Sequence, residues 1–323
     1  MSDDAPPPPG RAPHGGLSPG ATEITKVLVR PGALWRDVRV VAATGSSNAD
    51  LLAAAQAGAA EGTVLVAEAQ TAGRGRLGRR WASPPGAGLT FSVLLRPASV
   101  PAALLGWLPL LTGVAAVTAV RGVAGVDAAL KWPNDVLAGG AKLGGILAER
   151  AGSAVVVGLG INVWQGRADL PAGVDATSLA LEAAAGGTGP SPGGTRPSPG
   201  GTGPSPGGTG PSPRGTEPPP GSPGLRVRLL AELLSRLSRW YLAWRDQASP
   251  GDADACGLRQ EYMRRCATLG RAVTVTMPGA EPVSGTATGV DWAGRLEVRT
   301  ARGLVRVTAG DVVHVRSADG PGR

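Results

Sequence analysis

A seven-residue repeat constrains this chain more than any other feature. Between Ala184 and Gly224 the sequence runs GGTGPSP, GGTRPSP, GGTGPSP, GGTGPSP and then a degenerate RGTEPPP. The full units carry two prolines each and no apolar residue, so the heptad period cannot mean a coiled coil. An extended, flexible insert is expected there, with the folded parts built on either side of it. Residues 1–29, with Pro6 to Pro9 and no hydrophobic period, are expected to form a disordered tail that contains no DNA-reading helix.

Ahead of the insert, apolar runs at Thr63–Glu68, Thr90–Arg96, Ala128–Trp132 and Ala154–Val163 read as strands. They alternate with helical stretches at Asn48–Ala60 and Leu104–Gly122, a mixture that implies a sheet covered by helices. After the insert, Leu229, Leu230, Leu233, Leu234, Leu237, Tyr241 and Trp244 recur at helical spacing and mark one amphipathic helix. A shorter helix is expected over Leu258–Cys266. From Arg271 to Val315 short alternating runs broken by Pro278-Gly279 and Ala293-Gly294 read as a small all-β barrel. The fold class is therefore α+β: a mixed sheet with packed helices over residues 30–267, interrupted by the insert at 184–224, then the barrel over 268–317 and a tail at 318–323.

The residue inventory excludes several chemistries. His14 and His314 are the only histidines and stand near opposite ends of the chain, which leaves no Ser-His-Asp triad and no HExxH zinc site. Cys256 and Cys266 are the only cysteines, and no signal peptide points to an oxidising compartment, so both read as reduced structural thiols in a cytoplasmic protein. The segment from Pro97 to Val120 is uncharged and long enough to span a membrane. Its prolines, glycines and threonines dilute it, and it reads as a buried helix. Lys plus Arg outnumber Asp plus Glu by 32 to 24, a net charge of +8 that favours anionic partners.

The rare residues cluster. Lys131 and Lys142 are two of only three lysines, and all three asparagines, Asn48, Asn134 and Asn162, fall between Asn48 and Asn162. An Arg-rich chain keeps Lys where a compact point charge is needed. GRGRLGRRW, Gly73 to Trp81, satisfies GxGxxG, but Ala82-Ser83-Pro84-Pro85-Gly86 follows and cannot open a helix, so the dinucleotide reading fails. A loop remains, suited either to ordering around a phosphate or carboxylate or to lying in solvent or on nucleic acid. KWPNDV (Lys131–Val136) and KLGGILAE (Lys142–Glu149) flank a Gly139-Gly140 turn like the arms of a hairpin, which would let both lysines face one cleft or leave both solvated. GLGINV ends an apolar strand with Asn162, an amide that needs partners if buried.

Taken in order, TGSSNADLL (Thr44–Leu52), EAQTAGRGRLGRRW (Glu68–Trp81), KWPNDVL, KLGGILAE and GLGINV resemble the biotin–protein ligases, over about Leu34 to Val315 apart from the insert. The resemblance implies the biotin/lipoate ligase fold and a two-step reaction, in which biotin and ATP form biotinyl-AMP and the biotin then passes to a lysine of a biotin carboxyl carrier domain of an acyl-CoA or pyruvate carboxylase. It further implies that Ser46, Ser47, Asn48 and Gln70 contact the biotin head, that Arg74, Gly75 and Arg76 belong to a loop closing over biotin and phosphates, and that Arg79 serves the phosphates. Lys142 matches the lysine at the biotin carboxylate and α-phosphate, and Trp132 and Asn162 match adenine-side contacts. Lys142 and Arg76 would be catalytic; Asp135 is either a base for the transfer step or a residue that orders its turn. ATP would arrive as its Mg²⁺ complex, no prosthetic group is implied, and no metal ligand is identified. The competing readings are lipoate or octanoate ligation on the same scaffold, or a basic nucleic-acid-binding protein, although no sequence-specific DNA binding is expected, because the amino-terminal tail leaves no room for the winged helix of the family's repressors.

Overall fold

The computed structural model describes residues 25–186, 224–277, 279–308 and 310–314. Most of the amino-terminal tail, the carboxy-terminal tail and most of the repeat lie outside the described residues. Two expected boundaries shift. Thr25 to Leu28 make a helical turn, and Leu28 and Val29 pack on the core, so the ordered chain begins before residue 30. Ala184 to Gly186, assigned to the insert, instead finish a helix.

The main sheet has seven strands: β1 (Asp37–Val41), β2 (Thr63–Ala67), β3 (Gly88–Leu95), β4 (Ala128–Lys131), β5 (Asp135–Ala138), β6 (Ala141–Ala151) and β7 (Ala154–Asn162), in the order β1-β2-β3-β7-β6-β5-β4. Only β1 and β2 run parallel, which makes the sheet mixed. The central strands β3 and β7 are covered on both faces, which is why their sequences read as unbroken apolar runs. On one face Leu65, Leu94 and Val156 meet Leu51 and Ala55 of helix α1 (Ser47–Gln56). The intervening residues Val64, Val66, Val93, Val155 and Val157 point the other way, as the two-residue period of a strand demands.

That other face is covered by α2 (Trp107–Ala124), itself covered by α4 (Leu225–Arg245); the short α3 (Leu179–Gly186) follows β7. Helix α2 is apolar all round because it is sandwiched: Leu108, Leu111, Val114, Ala115, Val117 and Val120 are wholly buried. It is long and apolar enough to cross a membrane, yet its apolar surface is used inside the protein. Gly125, at φ 65°, ends it in the left-handed conformation and returns its N–H to the Arg121 carbonyl. Helix α4 buries each leucine and aromatic residue that marked its stripe, and burial of seven such side chains at about 1.5–3 kcal/mol apiece fixes it against α2. The short α5 (Leu258–Arg265) buries Leu258 and Tyr262, one helical turn apart.

The carboxy-terminal unit corrects an expectation. Strands β8 (Ala272–Thr276), β9 (Val283–Val290), β10 (Leu296–Thr300), β11 (Gly303–Val307) and β12 (Asp311–His314) form an antiparallel sheet in the order β11-β10-β9-β8-β12. Its end strands β11 and β12 do not pair, so the sheet is open and not a barrel. The physical reason is that its apolar face needs no closure: Val273, Val275, Ala287, Val290, Leu296, Val298 and Val312 join the same core as the main sheet. Two tryptophans bolt the units together, Trp107 donating to the Trp292 carbonyl at 2.8 Å and Trp132 to that of Gly294 at 3.0 Å.

Candidate active site

A cleft of about 490 Å³ opens where the α1 amino terminus, the Gly73–Trp81 loop, the β4–β6 hairpins and β12 converge. Its size suits a small-molecule site. Ser46, Ser47, Asn48, Gln70, Arg74, Gly75, Arg76, Arg79, Trp132, Asp135, Lys142 and Asn162, each singled out in the sequence, all line it.

At one end Ser46 caps α1, and Ser46, Ser47 and Asn48 are buried. The Ser47 N–H donates to Gln70 Oε1 at 2.8 Å, while its hydroxyl lies 3.1 Å from the same oxygen and 2.7 Å from Ser92 Oγ. Ser92 donates to Asn48 Oδ1 at 2.6 Å. The Asn48 amide nitrogen donates to Glu149 Oε2 at 2.8 Å and the Leu147 carbonyl at 3.2 Å. Both donors of Asn48 are thus spent inside the protein, and the residue organises the pocket; Ser47 and Gln70 also bond to each other, and the Gln70 amide nitrogen, with no acceptor among the described residues, keeps its donors for a ligand. Gly158 makes this possible: a Cβ there would stand 2.2 Å from Asn48 Oδ1. Ser92, wholly buried, and Glu149 were not predicted as site residues. A serine inside the apolar run TFSVLL is the signal that could have found the first.

Away from this end Lys142, Arg76, Arg79 and Arg74 are held on protein partners. Lys142 on β6 pairs with Asp135 at 2.7 Å across the β5–β6 hairpin. Arg76 donates to Asn134 Oδ1 at 2.9 Å and to the Gly310 carbonyl at 3.3 Å; burial lowers its pKa, an effect that Asp311 and Asp135 oppose. Arg79 pairs with Asp311 of β12, and Arg74 lies 3.4 Å from Glu149. Held so, Asp135 serves to place the Lys142 ammonium. The loop carrying the arginines folds back on itself, Gly75 donating to Arg79 and Trp81 to Gly73, and its tip residue Leu77 is exposed at φ 54°.

Two aromatic residues shape the walls between these ends. The Trp81 ring lies on β7 where Gly160 has no side chain; a Cβ there would come 2.3 Å from the ring. Trp81 is a site residue that the motifs did not single out. Trp132 is 1% exposed, its indole N–H held by Gly294 and its backbone N–H by Thr268 Oγ1 at 3.1 Å, so it joins the two units as well as lining the cleft. Asn162 donates to the Thr177 carbonyl at 2.9 Å and accepts from Gln165 at 3.3 Å, the structural bonding that its burial requires. The carboxy-terminal wall, Asp311 to Val313, had no counterpart in the sequence reading.

A cleft with a hydroxyl-and-amide pocket at one end and lysines and arginines along the rest, on this sheet, is that of the acid-attaching ligases. Residues 42–163 match the biotin/lipoate A/B protein ligase family, and residues 268–315 match the biotin protein ligase C terminal domain. Over 294 residues the chain is 40% identical to the biotin–[acetyl-CoA-carboxylase] ligase of Mycobacterium tuberculosis, covering 90% of this chain and 93% of that one. It is also similar to the bifunctional ligase/repressor of Bacillus subtilis, at 42% identity over 133 residues, 40% of this chain and 41% of that one. Among solved structures, the biotin protein ligase from Aquifex aeolicus in complex with biotin and ATP superposes with a TM-score of 0.64 at 25% identity, over 88% of this chain and 100% of that one. The chain belongs to the biotin protein ligase family.

Proposed function

We propose that the chain is an ATP-dependent biotin–[acetyl-CoA-carboxylase] ligase that makes biotinyl-AMP and transfers its biotin to a lysine of a carboxyl carrier domain. The observation that carries the reading is the polarity of one cleft, neutral hydrogen-bonding groups at Ser47 and Gln70 facing Lys142, Arg76 and Arg79 across it. A ureido ring fits the first end, and a carboxylate with a triphosphate fits the second. Biotin's carboxylate is already a nucleophile, so its attack on the α-phosphorus needs no general base, and a cleft with no imidazole among its described residues suffices. Its task is to place cations where charge gathers on the phosphate and to exclude water from the mixed anhydride. Lys142, steered by Asp135, is assigned to the biotin carboxylate and α-phosphate, and Arg76 to the same phosphate once it leaves Asn134.

Mg²⁺ enters this proposal as part of the ATP substrate complex; among the described residues no group of three His, Cys, Asp or Glu side chains could hold a metal ion. The reading places the enzyme in the cytoplasm, off the membrane and without sequence-specific DNA binding. Trp132 and Asn162 stand within it as walls of the adenine side. The test is incubation with ATP, Mg²⁺ and biotin, then mass spectrometry for biotinyl-AMP, followed by addition of an acetyl-CoA carboxylase carrier domain and measurement of its mass. Lipoate and octanoate form the competing arms. Adenylation of either in preference to biotin would overturn the assignment.

A further inference from the structure

One cation of the cleft, Lys131, stands apart from the rest. Lys142, Arg74, Arg76 and Arg79 each rest on a carboxylate or amide oxygen, and Arg80 donates to the Thr71 carbonyl. Among the described residues none makes a hydrogen bond or ion pair with the Lys131 side chain. Its place is nonetheless tightly fixed. In the β4–β5 hairpin Lys131 lies directly opposite Asp135, so the two side chains leave the same face of the sheet with Cβ atoms roughly 5 Å apart. Asp135 in turn holds the Lys142 ammonium at 2.7 Å. Lys131 and Lys142, the only two lysines in the described part of the cleft, thus flank one carboxylate on one wall.

The backbone on both sides of Lys131 is tied to the chain that enters the carboxy-terminal sheet. Ala267 donates to the Leu130 carbonyl at 2.7 Å, and Trp132 donates to Thr268 Oγ1. His314 of β12 reaches the same Thr268 hydroxyl at 3.2 Å. Arg271, exposed one residue before β8, completes the neighbourhood; burial, then the charges of Lys131 and Arg271, push the His314 pKa down. Lys131 and Arg271 therefore bring positive charge to the seam of the two units, where Lys131 also lines the cleft.

We propose that Lys131 is a further catalytic residue, which binds the β- and γ-phosphates of ATP and stabilises pyrophosphate as it leaves. The proposal rests on the ligase reading. In the first half-reaction a carboxylate oxygen of biotin bonds to the α-phosphorus, the bond from that phosphorus to the α,β-bridging oxygen breaks, and its electron pair departs with pyrophosphate. No proton moves. Negative charge accumulates on the leaving group, one phosphate beyond the position assigned to Lys142, and a second preorganised cation there lowers the barrier. A free lysine suits the task, since no internal ion pair has to be broken when the nucleotide arrives, and its compact ammonium suits a tetrahedral oxyanion.

The experiment compares wild type, Lys131→Met and Lys131→Arg in three assays with Mg²⁺ present. Biotinyl-AMP formation in Lys131→Met should fall by about 10²-fold in kcat/KM for ATP, the scale for losing one preorganised electrostatic contact, and Lys131→Arg should recover part of it. Inhibition by added pyrophosphate should weaken about tenfold in Lys131→Met, or roughly 1.4 kcal/mol. Transfer from synthetic biotinyl-AMP to the carrier domain should stay within about twofold, because that intermediate has no β-phosphate. Damage to folding would depress all three together, so a matching fall in transfer, or unchanged pyrophosphate inhibition, overturns the proposal. If Lys131→Met fails to fold, Lys131→Gln gives the same neutral readout. Wild type that forms no biotinyl-AMP would instead overturn the ligase reading, and this proposal with it.

Discussion

Replacing Gly158 by alanine adds one methyl at the floor of the head pocket, 2.2 Å from Asn48 Oδ1 and 3.0 Å from its Cγ. Backbone on β7 cannot retreat, since Gly158 pairs with both Ser92 and Leu147. Asn48 must therefore rotate away, and three hydrogen bonds break: those to Ser92, to the Leu147 carbonyl and to the Glu149 carboxylate. A neutral bond contributes about 0.5–1.5 kcal/mol and one to a charged group about 1.5–3, and partial rebonding recovers some, so the expected cost is about 3 kcal/mol. For a protein of this size that lowers Tm by roughly 6–12 °C. The loss also releases Ser92, and with it the Ser47 hydroxyl, so biotin affinity measured by calorimetry below the melting range should fall about tenfold or more, equivalent to roughly 1.4 kcal/mol. ATP affinity should change far less. An alanine variant with wild-type Tm and wild-type biotin affinity would refute the view that Gly158 exists to admit Asn48.

Four other outcomes are expected. Lys142→Arg preserves charge and Asp135 is still there to meet it, yet the broad guanidinium cannot occupy the ammonium's point; biotinyl-AMP formation should fall by about 10²-fold in a rapid-quench assay, while stability stays within about 1 kcal/mol. Asp311→Asn removes the partner that holds Arg79, an exposed pair worth about 0.2–1 kcal/mol, so KM for ATP should drop by up to roughly fivefold in steady-state adenylation, and a rise would contradict the exchange. Gly122→Ala, exposed near the end of α2 with only an Arg236 side-chain nitrogen nearby at 3.9 Å, should raise the urea-unfolding free energy by about 0.5–1 kcal/mol and leave turnover alone. His314 has a folded pKa below its unfolded value because burial and the Lys131 and Arg271 charges favour the neutral ring. Its contribution to stability is complete above about pH 6.5 and declines as pH falls below that, since the unfolded chain then takes up the proton first. Urea midpoints of wild type and His314→Gln should run parallel above pH 7 and converge or cross on acidification.

Local pattern carried the elements and tertiary packing carried the exceptions. Helix α4 was legible because its leucines repeat every three to four residues, and β3 and β7 were legible because strands covered on both faces are apolar throughout. Strand β1 was missed: DVRVV is short, sits at a sheet edge and buries fully only Val38. The barrel was misread because alternation in five short strands states that one face is buried and not what buries it. Here the cover is the main domain. The motifs placed every predicted site residue on one cleft, but their bonding roles were not legible. Asn48 and Trp132 look in sequence like ligand contacts, and only the positions of Glu149, Leu147 and Gly294 show that their polar atoms are committed to the protein.

The same commitments explain how a site with so many arginines stays folded without its ligands. Uncompensated cations crowded at one end of a cleft would repel one another, and each lost interaction with water would add to the cost. Here Asp135, Glu149, Asp311, Asn134 and the Gly310 carbonyl hold most of them, Asp311 opening the strand that lines the cleft from the carboxy-terminal side and Gly310 just preceding it. Under the proposed function, arrival of a triphosphate would exchange one set of acceptors for a stronger one, with Arg76 and Arg79 releasing Gly310 and Asp311 for phosphate oxygens. Because both acceptors belong to the second unit, a loop closing over the nucleotide would have to change its hold on β12 and on Gly310 just before it. On that reading the carboxy-terminal sheet has a task beyond covering the core, because Gly310 and Asp311 hold the loop's arginines until the nucleotide arrives.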